Sequence, residues 1–83
     1  MKIDPLEIKG KLEPIFQDVF DDDTLVIYPE MTAENVSGWD SVTHIMLITQ
    51  VEKTFSIRFT TAEATSFENV GHFIQAISAK SGA

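Results

Sequence analysis

Ser41 is the residue whose type and position point most clearly to chemistry in this 83-residue chain. It follows Asp40 directly, where a helical pattern of apolar residues begins, and His44 lies three residues further on. Residues three apart share one helix face, so Ser41 and His44 could pair as a nucleophile and its base. A hydrolase also needs a group that orients the base and donors for the oxyanion, and the sequence indicates neither. The pattern therefore argues against an enzyme that uses Ser41.

The acidic run at residues 21–23 (DDD) raises the question of a calcium site. An EF-hand loop needs oxygen ligands at alternate positions, a central glycine and a distal glutamate. Counted from Asp21, position five is Leu25 and position six is Val26, so the pattern fails. No other metal-ligand cluster or phosphate-binding glycine loop stands out. We expect a solvated helix end there and no metal site.

The balance of charge limits the classes of partner. The chain carries 13 acidic and 6 basic residues, a net charge of -7. Nucleic acids and anionic membranes both need a cationic binding surface, so we expect neither as a partner. Residues 1–40 hold ten acids and three bases, whereas residues 41–83 hold three of each and are neutral overall. The second half must therefore recognise its partners with little net charge.

Length and hydrophobicity indicate one globular domain over residues 1–83. The content of hydrophobic residues, 43%, is enough for a core and too high for a disordered acidic tail. The chain has no cysteine, which excludes disulfides and Cys-ligated zinc. No apolar run is long enough to span a membrane, and the N-terminus lacks the basic start and apolar block of a secretory signal. We expect a cytoplasmic monomer.

The first helix begins with clear signals and contains one conflict. Asp4 can cap it, and Pro5 suits the first helical position. Ile3 and Ile8 occupy the positions of a hydrophobic staple. Pro14 conflicts with the pattern, because a proline inside a helix removes a hydrogen bond and crowds the preceding turn. We expect the helix to be kinked or broken at Pro14.

Residues 24–37 are predicted to form a long extended loop before the second helix. Residues 25–27 (LVI) have the composition of a strand, but no partner strand of similar quality exists. We therefore expect these apolar residues to contact the core, with a short helical turn over residues 32–36. The second helix is predicted to run from Ser41 to about Thr54, with Asp40 as its cap. A loop of this length in a small domain is often functional.

The remaining helices complete a bundle. The spacing from Thr60 to Glu63 is that of a capping box and predicts a short third helix, and the last helix is expected to begin near Asn69. The predicted fold class is therefore all-α, a four-helix bundle with three main helices and one short third helix. The predicted core consists of apolar residues that share a face within each helix, with Leu47 widening the stripe of the second: Leu12, Ile15, Phe16, Val19, Ile45, Ile48, Val51, Phe55, Phe67, Val70, Phe73, Ile74 and Ile77.

Residues 38–45 (GWDSVTHI) resemble the attachment motif of acyl and peptidyl carrier proteins, in which an Asp-Ser pair begins the second helix. The resemblance covers nearly the whole chain. It includes the long loop, the second helix, residues 51–57 (VEKTFSI), the short third helix and residues 70–74 (VGHFI). An isolated Asp-Ser pair is usually only part of a helix cap. The same pair at a helix start, halfway along an acidic helical domain of this size, is a strong signal for the acyl carrier protein family.

The resemblance implies that Ser41 carries a covalent 4'-phosphopantetheine arm, transferred from coenzyme A by a phosphopantetheinyl transferase. The thiol of the arm would hold an acyl group as a thioester, so the protein would be a non-catalytic carrier. The phosphate would lie beside unpaired backbone N–H groups at the positive end of a helix dipole. Asp40 is expected to cap the helix, and the resemblance adds a contact with the transferase or its metal ion.

Other residues near the motif are candidates for partner contact. Trp39 suits an anchor that holds the loop against the bundle, although its indole could also touch a partner. Val42 and Met46 could belong to the core, and if they are exposed they suit a partner contact near the arm. His44 could neighbour the phosphate or be an exposed bystander. His72 has no evident partner and is expected at the surface.

The second helix also bears on the pathway. After Ser41 its only acid is Glu52, whereas carriers of primary fatty acid synthesis usually have a strongly acidic second helix. The resemblance therefore favours a specialised carrier in a fatty-acid, polyketide or related lipid pathway, with acyl-loading and acyl-transfer enzymes as partners. The alternatives are a peptidyl or aminoacyl carrier of a nonribosomal pathway, a helical interaction module without a cofactor, and a small enzyme using Ser41.

Overall fold

The computed structural model describes residues 4–81, and these residues form four α-helices and one 3₁₀ turn, with no strand among them. The first helix, α1, covers Pro5–Val19, and the 3₁₀ turn covers Ala33–Asn35. The second, α2, covers Ser41–Phe55, the short α3 covers Thr61–Ser66, and α4 covers Val70–Ser81. The predicted all-α bundle is confirmed. No helix within the described range is long and apolar enough to cross a membrane.

The core lies where α1 packs against α2 and α4. Its centre is aromatic: the ring of Phe16 meets the rings of Trp39 and Phe73 edge to face, with centroids 5.4 and 5.9 Å apart. Such pairs stabilise a core beyond the area that they bury. The fully buried large side chains come from α1, the loop, α2 and α4, and they are Phe16, Phe73, Ile8, Leu12, Ile27, Met31, Leu47, Ile77, Val51 and Val70.

Helix α1 begins as predicted and continues through its proline. The Asp4 carboxylate accepts a hydrogen bond from the Leu6 backbone N–H at 2.8 Å. Of the kink or break predicted at Pro14, the break is wrong, because the helix runs unbroken to Val19; the kink stays a prediction. Pro14 and Gly10 both lie on the exposed side, where water can bond the Gly10 carbonyl that loses its helical partner. The predicted staple involves Ile3, which lies outside the described residues.

The long loop is fastened to α1 by side chains that bond its backbone. Gln17 donates a hydrogen bond from Nε2 to the Leu25 carbonyl at 3.0 Å. The Ile27 backbone N–H donates to Glu13 Oε2 at 3.1 Å, and the Ile27 side chain is fully buried. These bonds satisfy loop groups that would otherwise be costly to bury. The prediction of an extended loop is confirmed, and its predicted contacts to the core are confirmed for Leu25 and Ile27. For Val26 the prediction is wrong, because this side chain is 63% exposed.

The same loop is fastened to α4 by backbone hydrogen bonds. Val70 N–H donates to the Met31 carbonyl at 3.0 Å, and Gly71 N–H donates to the Pro29 carbonyl at 2.8 Å. A Cβ at Gly71 would lie 3.2 Å from that carbonyl oxygen, so a glycine permits the close approach of loop and helix. The start of α4 therefore holds the segment that precedes the 3₁₀ turn.

Helix α2 is rotated relative to the sequence prediction. Ile45, predicted to lie in the core, is 66% exposed, whereas Leu47 is fully buried with Val51 and Phe55. Two residues along a helix differ by about 200° around its axis, so both could not face the core. One turn before Leu47, the position that faces inward is occupied by His44. Because His44 is polar, the spacing of apolar residues does not predict that it faces inward. The remainder of the predicted core is buried or packed against the buried cluster.

Paired substitutions test this orientation of α2. We expect Leu47→Ala to lower the free energy of unfolding by about 2–5 kcal/mol, because it leaves a cavity in the core. We expect Ile45→Ala to change it by less than about 1 kcal/mol, since the side chain is mostly in water and alanine favours helix. Urea unfolding followed by circular dichroism measures both. Equal losses for the two variants would show that α2 presents a different face to the core.

Candidate functional site

The start of α2 is built by a reciprocal hydrogen-bond arrangement around Ser41. The Asp40 carboxylate accepts from the backbone N–H groups of Val42 and Thr43 at 2.9 and 3.0 Å. In return, Asp40 N–H donates to Thr43 Oγ1 at 2.8 Å, and that hydroxyl donates to the Gly38 carbonyl, also at 2.8 Å. This capping box fixes the backbone on both sides of Ser41. Asp40 is confirmed as the cap of α2.

Ser41 is the first residue of α2 and its side chain is exposed. Its hydroxyl makes no hydrogen bond to another residue in the described range. The expectation that unpaired N–H groups surround it is wrong for Val42 and Thr43, because Asp40 already occupies both donors. The Ser41 hydroxyl oxygen is therefore accessible for attachment, and the helix dipole would stabilise a negatively charged group bonded to it. Free backbone N–H donors would contribute much less to that stabilisation.

The charge of Asp40 is stabilised in place. The Thr43 backbone N–H is the main cause that lowers the pKa of this carboxyl below its ordinary value; desolvation opposes the shift, and bonds from Val42 N–H and the Thr43 hydroxyl add to it. Asp40 therefore remains ionised to a lower pH than an aspartate with the ordinary pKa. Its negative charge compensates the positive end of the α2 dipole immediately beside Ser41.

Trp39 holds the end of the loop inside the bundle. Its side chain is only 9% exposed and contacts the rings of Phe16, Phe20 and Phe73 at centroid distances between 5.4 and 6.3 Å. The Trp39 ring also stacks on His44, with an interplanar angle of 16°. These contacts agree with the anchor interpretation. The partner contact that was also expected of Trp39 stays a prediction.

His44 links Trp39 to the third helix through both ring nitrogens. The Trp39 indole N–H donates to His44 Nδ1 at 3.2 Å, and His44 Nε2 lies 2.7 Å from the Ala64 carbonyl oxygen. An indole N–H can only donate, so Nδ1 must be the acceptor and Nε2 must carry the proton that Ala64 accepts. We call this Trp39–His44–Ala64 connection the His44 bridge.

The His44 bridge contradicts one of the two expectations for this residue, that of an exposed bystander; the expectation that His44 neighbours the phosphate stays a prediction. With each ring nitrogen engaged, His44 has no lone pair free to take a proton from Ser41 and no free N–H for a phosphate. It is also half-buried and so is not an exposed bystander. Its role is structural. The sequence offered one signal for it, the placement of His44 five residues after a tryptophan that needs an acceptor.

A groove of about 420 Å³ opens directly beside Ser41, between α2 and the C-terminal end of α3. On the α2 side it is bounded by Ser41, His44 and Ile45, and on the opposite side by Thr65 and Phe67. The exposed Ile45 side chain forms part of its rim. The groove offers a mainly apolar surface within immediate reach of anything attached to Ser41.

Beyond this groove, α2 presents an apolar patch to solvent. Val42 is 65% exposed and Met46 is 46% exposed, so neither belongs to the core. With Ile45 they lie three and four residues apart, on one side of the helix. We call these three residues the α2 patch. Their exposure meets the condition under which Val42 and Met46 were expected to contact a partner.

The single acid of α2 after Ser41 has a structural role. The Phe59 backbone N–H donates to Glu52 Oε2 at 2.8 Å, and Glu52 is half-buried. The Glu52 carboxylate therefore stabilises the loop between α2 and α3, and its charge is only partly accessible to a partner. The α2 surface near Ser41 is even less acidic than its composition indicates.

Asp22 and His72, which the sequence analysis considered, both accept local hydrogen bonds. Asp22 forms a local turn, in which Oδ1 accepts from the backbone N–H and the hydroxyl of Thr24 at 3.0 and 2.6 Å. Within residues 4–81 no cluster of His, Cys, Asp or Glu could hold a metal ion. His72 is half-buried, and its Nδ1 accepts from the Glu68 backbone N–H at 3.0 Å. The expectation that His72 has no partner is therefore wrong.

Comparison with solved structures identifies a similar protein. The chain resembles the solution NMR structure of a holo acyl carrier protein from Geobacter metallireducens, with a TM-score of 0.82 and 36% sequence identity. The similarity covers 88% of this chain and 84% of the other. No protein-family model matches the chain, and no curated protein matches it significantly. Identity of this size over most of both chains indicates a relationship beyond a shared fold.

The pH dependence of stability tests the role of the Asp40 charge. A carboxyl with a lowered pKa in the folded state stabilises the fold above its unfolded pKa, and this contribution is lost as the pH falls through the folded value. We expect Asp40→Asn to be less stable than wild type at neutral pH, with the difference closing as the pH falls through the folded pKa of Asp40. Urea unfolding at a series of pH values measures this difference.

The matched control is Asp23→Asn, because Asp23 makes no side-chain hydrogen bond within the described residues. It should show no such closing of the difference. If the gap between wild type and Asp40→Asn were constant down to the most acidic pH, the charge of Asp40 would not be what stabilises the start of α2.

Proposed function

The chain belongs to the acyl carrier protein family, and from that premise we propose that it holds acyl intermediates as thioesters on a 4'-phosphopantetheine arm attached to Ser41. The observation that carries the proposal is the exposed Ser41 hydroxyl, without a hydrogen-bond partner in the described range, at the first position of a firmly capped helix. The capping box and the Trp39 anchor hold this hydroxyl at a fixed place on the surface.

The residues around Ser41 fit such an arm. The hydroxyl is accessible, and the adjacent groove gives the attached chain an apolar surface to lie against. In the attachment reaction Ser41 Oγ would form a bond to the phosphorus of coenzyme A that bears pantetheine, lose its proton, and displace adenosine 3',5'-bisphosphate. The arm supplies a terminal thiol that forms the thioester. The chain itself supplies position, and no cysteine of its own competes for the acyl group.

A non-catalytic role is supported by the state of the nearest candidate base. His44 uses both ring nitrogens in the His44 bridge, so it cannot activate Ser41 without breaking that bridge. No other histidine lies near Ser41 in sequence, and the adjacent Asp40 is committed to the cap. Ser41 is thus arranged as a substrate of other enzymes, a phosphopantetheinyl transferase first and acyl-loading and acyl-transfer enzymes afterwards.

The surface of α2 favours a specialised carrier in a fatty-acid, polyketide or related lipid pathway. A partner that docks on this helix meets the α2 patch, and the one acid within the helix, Glu52, is bonded to Phe59 N–H. Recognition there must rely on apolar and polar contacts more than on charge. The proposal includes a monomeric protein in the cytoplasm, as expected from the sequence.

Attachment at Ser41 is tested by intact mass spectrometry. After incubation with coenzyme A and a broad-specificity phosphopantetheinyl transferase, we expect wild type to gain the mass of one phosphopantetheine group. Ser41→Ala should gain nothing and retain its helical circular dichroism, because the exposed side chain contributes little to packing. Ser37→Ala, the matched control four residues earlier, should be modified as efficiently as wild type. An arm on Ser37, or no arm on a folded wild type, would refute the proposal.

Recognition by the α2 patch is tested with Val42→Asp and Met46→Asp. Both changes add charge to an apolar contact while leaving the core untouched, so we expect slower loading or transfer at unchanged thermal stability. The association rate of wild type with its enzyme should depend weakly on ionic strength, since exposed charges mainly accelerate association and are screened by salt.

The competing view is that the acidic run at residues 21–23 steers the partner. The control therefore neutralises these residues as Asp21→Asn, Asp22→Asn and Asp23→Asn. A steep fall of the association rate with salt, abolished in this triple variant and unaltered in Met46→Asp, would contradict recognition through the α2 patch.

A further inference from the structure

A second groove lies along the same seam between α2 and α3, further from Ser41. Its volume is about 360 Å³, and it is bounded by Ile48 and Glu52 on one side and by Phe59, Thr60 and Ala64 on the other. We call the groove beside Ser41 the proximal groove and this second one the distal groove. Both are lined mainly by apolar surface, so together they form a discontinuous apolar track that starts at Ser41.

The His44 bridge stands between the two grooves. His44, Ile45 and Thr65 line both of them, which places the three residues at the boundary. At this boundary the 2.7 Å contact from His44 Nε2 to the Ala64 carbonyl joins α2 to α3. A chain that extends from Ser41 along the seam therefore meets a hydrogen-bonded partition before it reaches Phe59 and Ile48.

The partition is held on the α2 side by the core. Stacking on Trp39 and an edge contact with Phe73, at a centroid distance of 5.7 Å, orient the imidazole. The Trp39 N–H would lose its acceptor in a largely buried position if His44 moved away, and leaving a buried donor unsatisfied is unfavourable. The bridge is therefore closed in the resting protein, and its opening is a discrete event.

Helix α3 is held separately at its N-terminal end. Thr60 and Glu63 form a capping box, and Lys80 Nζ of α4 lies 3.0 Å from Glu63 Oε1 and 5.7 Å from the Phe59 ring centroid. A helix of six residues has little stability of its own, so such contacts position it. Loss of the His44 bridge would remove the hydrogen bond that joins α3 to α2, while the start of α3 stays fixed to α4 and its end stays packed through Phe67 on Phe73.

We propose that His44 is a specificity-determining residue, whose bridge to Ala64 confines an acyl chain to the proximal groove and so limits the length of chain that the protein can shield. The proposal rests on the proposed function, because its occupant is the acyl group on the arm at Ser41. Ser41 itself lines the proximal groove, which makes that groove the first apolar surface the attached chain meets. Opening the bridge joins the two grooves and admits a longer chain.

The test compares acyl forms of wild type, His44→Ala and His44→Gln. The alanine variant removes the partition, whereas the glutamine amide keeps an N–H donor that can reach the Ala64 carbonyl. His72→Ala is the matched control, because His72 Nδ1, like His44 Nδ1, accepts an N–H hydrogen bond (here from the Glu68 backbone), but His72 lines neither groove. Each protein is loaded with a series from butanoyl to dodecanoyl, and loading is verified by intact mass.

The readouts are the rise in thermal midpoint over the unacylated holo form and the rate of thioester cleavage by hydroxylamine. For wild type, His44→Gln and His72→Ala, we expect the thermal midpoint to level off at short chains. For His44→Ala, we expect it to continue rising with chain length, with dodecanoyl cleavage several-fold slower than in wild type. Identical chain-length profiles for fully loaded wild type and His44→Ala would overturn the role of His44 and leave the carrier function intact.

A measurement on wild type covers the case in which His44→Ala does not fold. NMR signals of Phe59 and Ile48 in the distal groove should be unchanged between the butanoyl and dodecanoyl forms, while those of Phe67 and Ile45 shift on loading. If Phe59 and Ile48 shift with dodecanoyl while the Trp39 indole N–H signal stays in place, the bridge is no partition and the inference fails. Failure of wild type to accept the arm at all would instead refute the proposed function.

Discussion

The burial of one tryptophan is the constraint on which the site depends. Trp39 ends the long loop, enters the aromatic centre between α1 and α4, and needs an acceptor for its N–H because its side chain is only 9% exposed. His44 supplies that acceptor from the first turns of α2 and therefore faces inward. The inward position of His44 fixes the rotation of α2 about its own axis. As a result Leu47 is buried, Ile45 faces solvent, and Ser41 is exposed at the helix start. Through Ala64 the same histidine also sets the distance between α2 and α3.

Several carboxylates in this acidic chain act as caps for backbone N–H groups. Glu13 bonds Ile27 N–H, Glu52 bonds Phe59 N–H, and Glu63 bonds Thr60 N–H. Bonds of this kind lower the pKa of Glu63, with the Thr60 N–H as the main cause and Lys80 as the second. Much of the negative charge thus organises loops in a domain whose backbone is largely irregular between residues 20 and 40. Acids without such partners among the described residues, such as Asp23, are left to set solubility and long-range attraction.

The starts of the first three helices were predictable from the sequence, because each depends on capping residues that lie close together in the chain. Capping residues gave the starts of α2 and α3, and the start of α1 followed from Asp4 and Pro5. The Asp-Ser pair within its helical context led to Ser41. Two features escaped prediction because they depend on tertiary surroundings. Pro14 is tolerated within α1 because it faces solvent, and the rotation of α2 follows from a satisfied buried histidine that apolar periodicity alone cannot identify.

The central claim is that the cargo arm is bonded to the Ser41 hydroxyl at the start of α2. A proton–phosphorus correlation spectrum of the holo protein tests it most directly, because a cross peak requires a phosphodiester oxygen bonded to the observed side chain. The account requires one phosphodiester signal that correlates with the β protons of Ser41 and with the arm, while the Trp39 indole N–H remains hydrogen-bonded to His44. A correlation to Ser37 or to any other hydroxyl residue would contradict it.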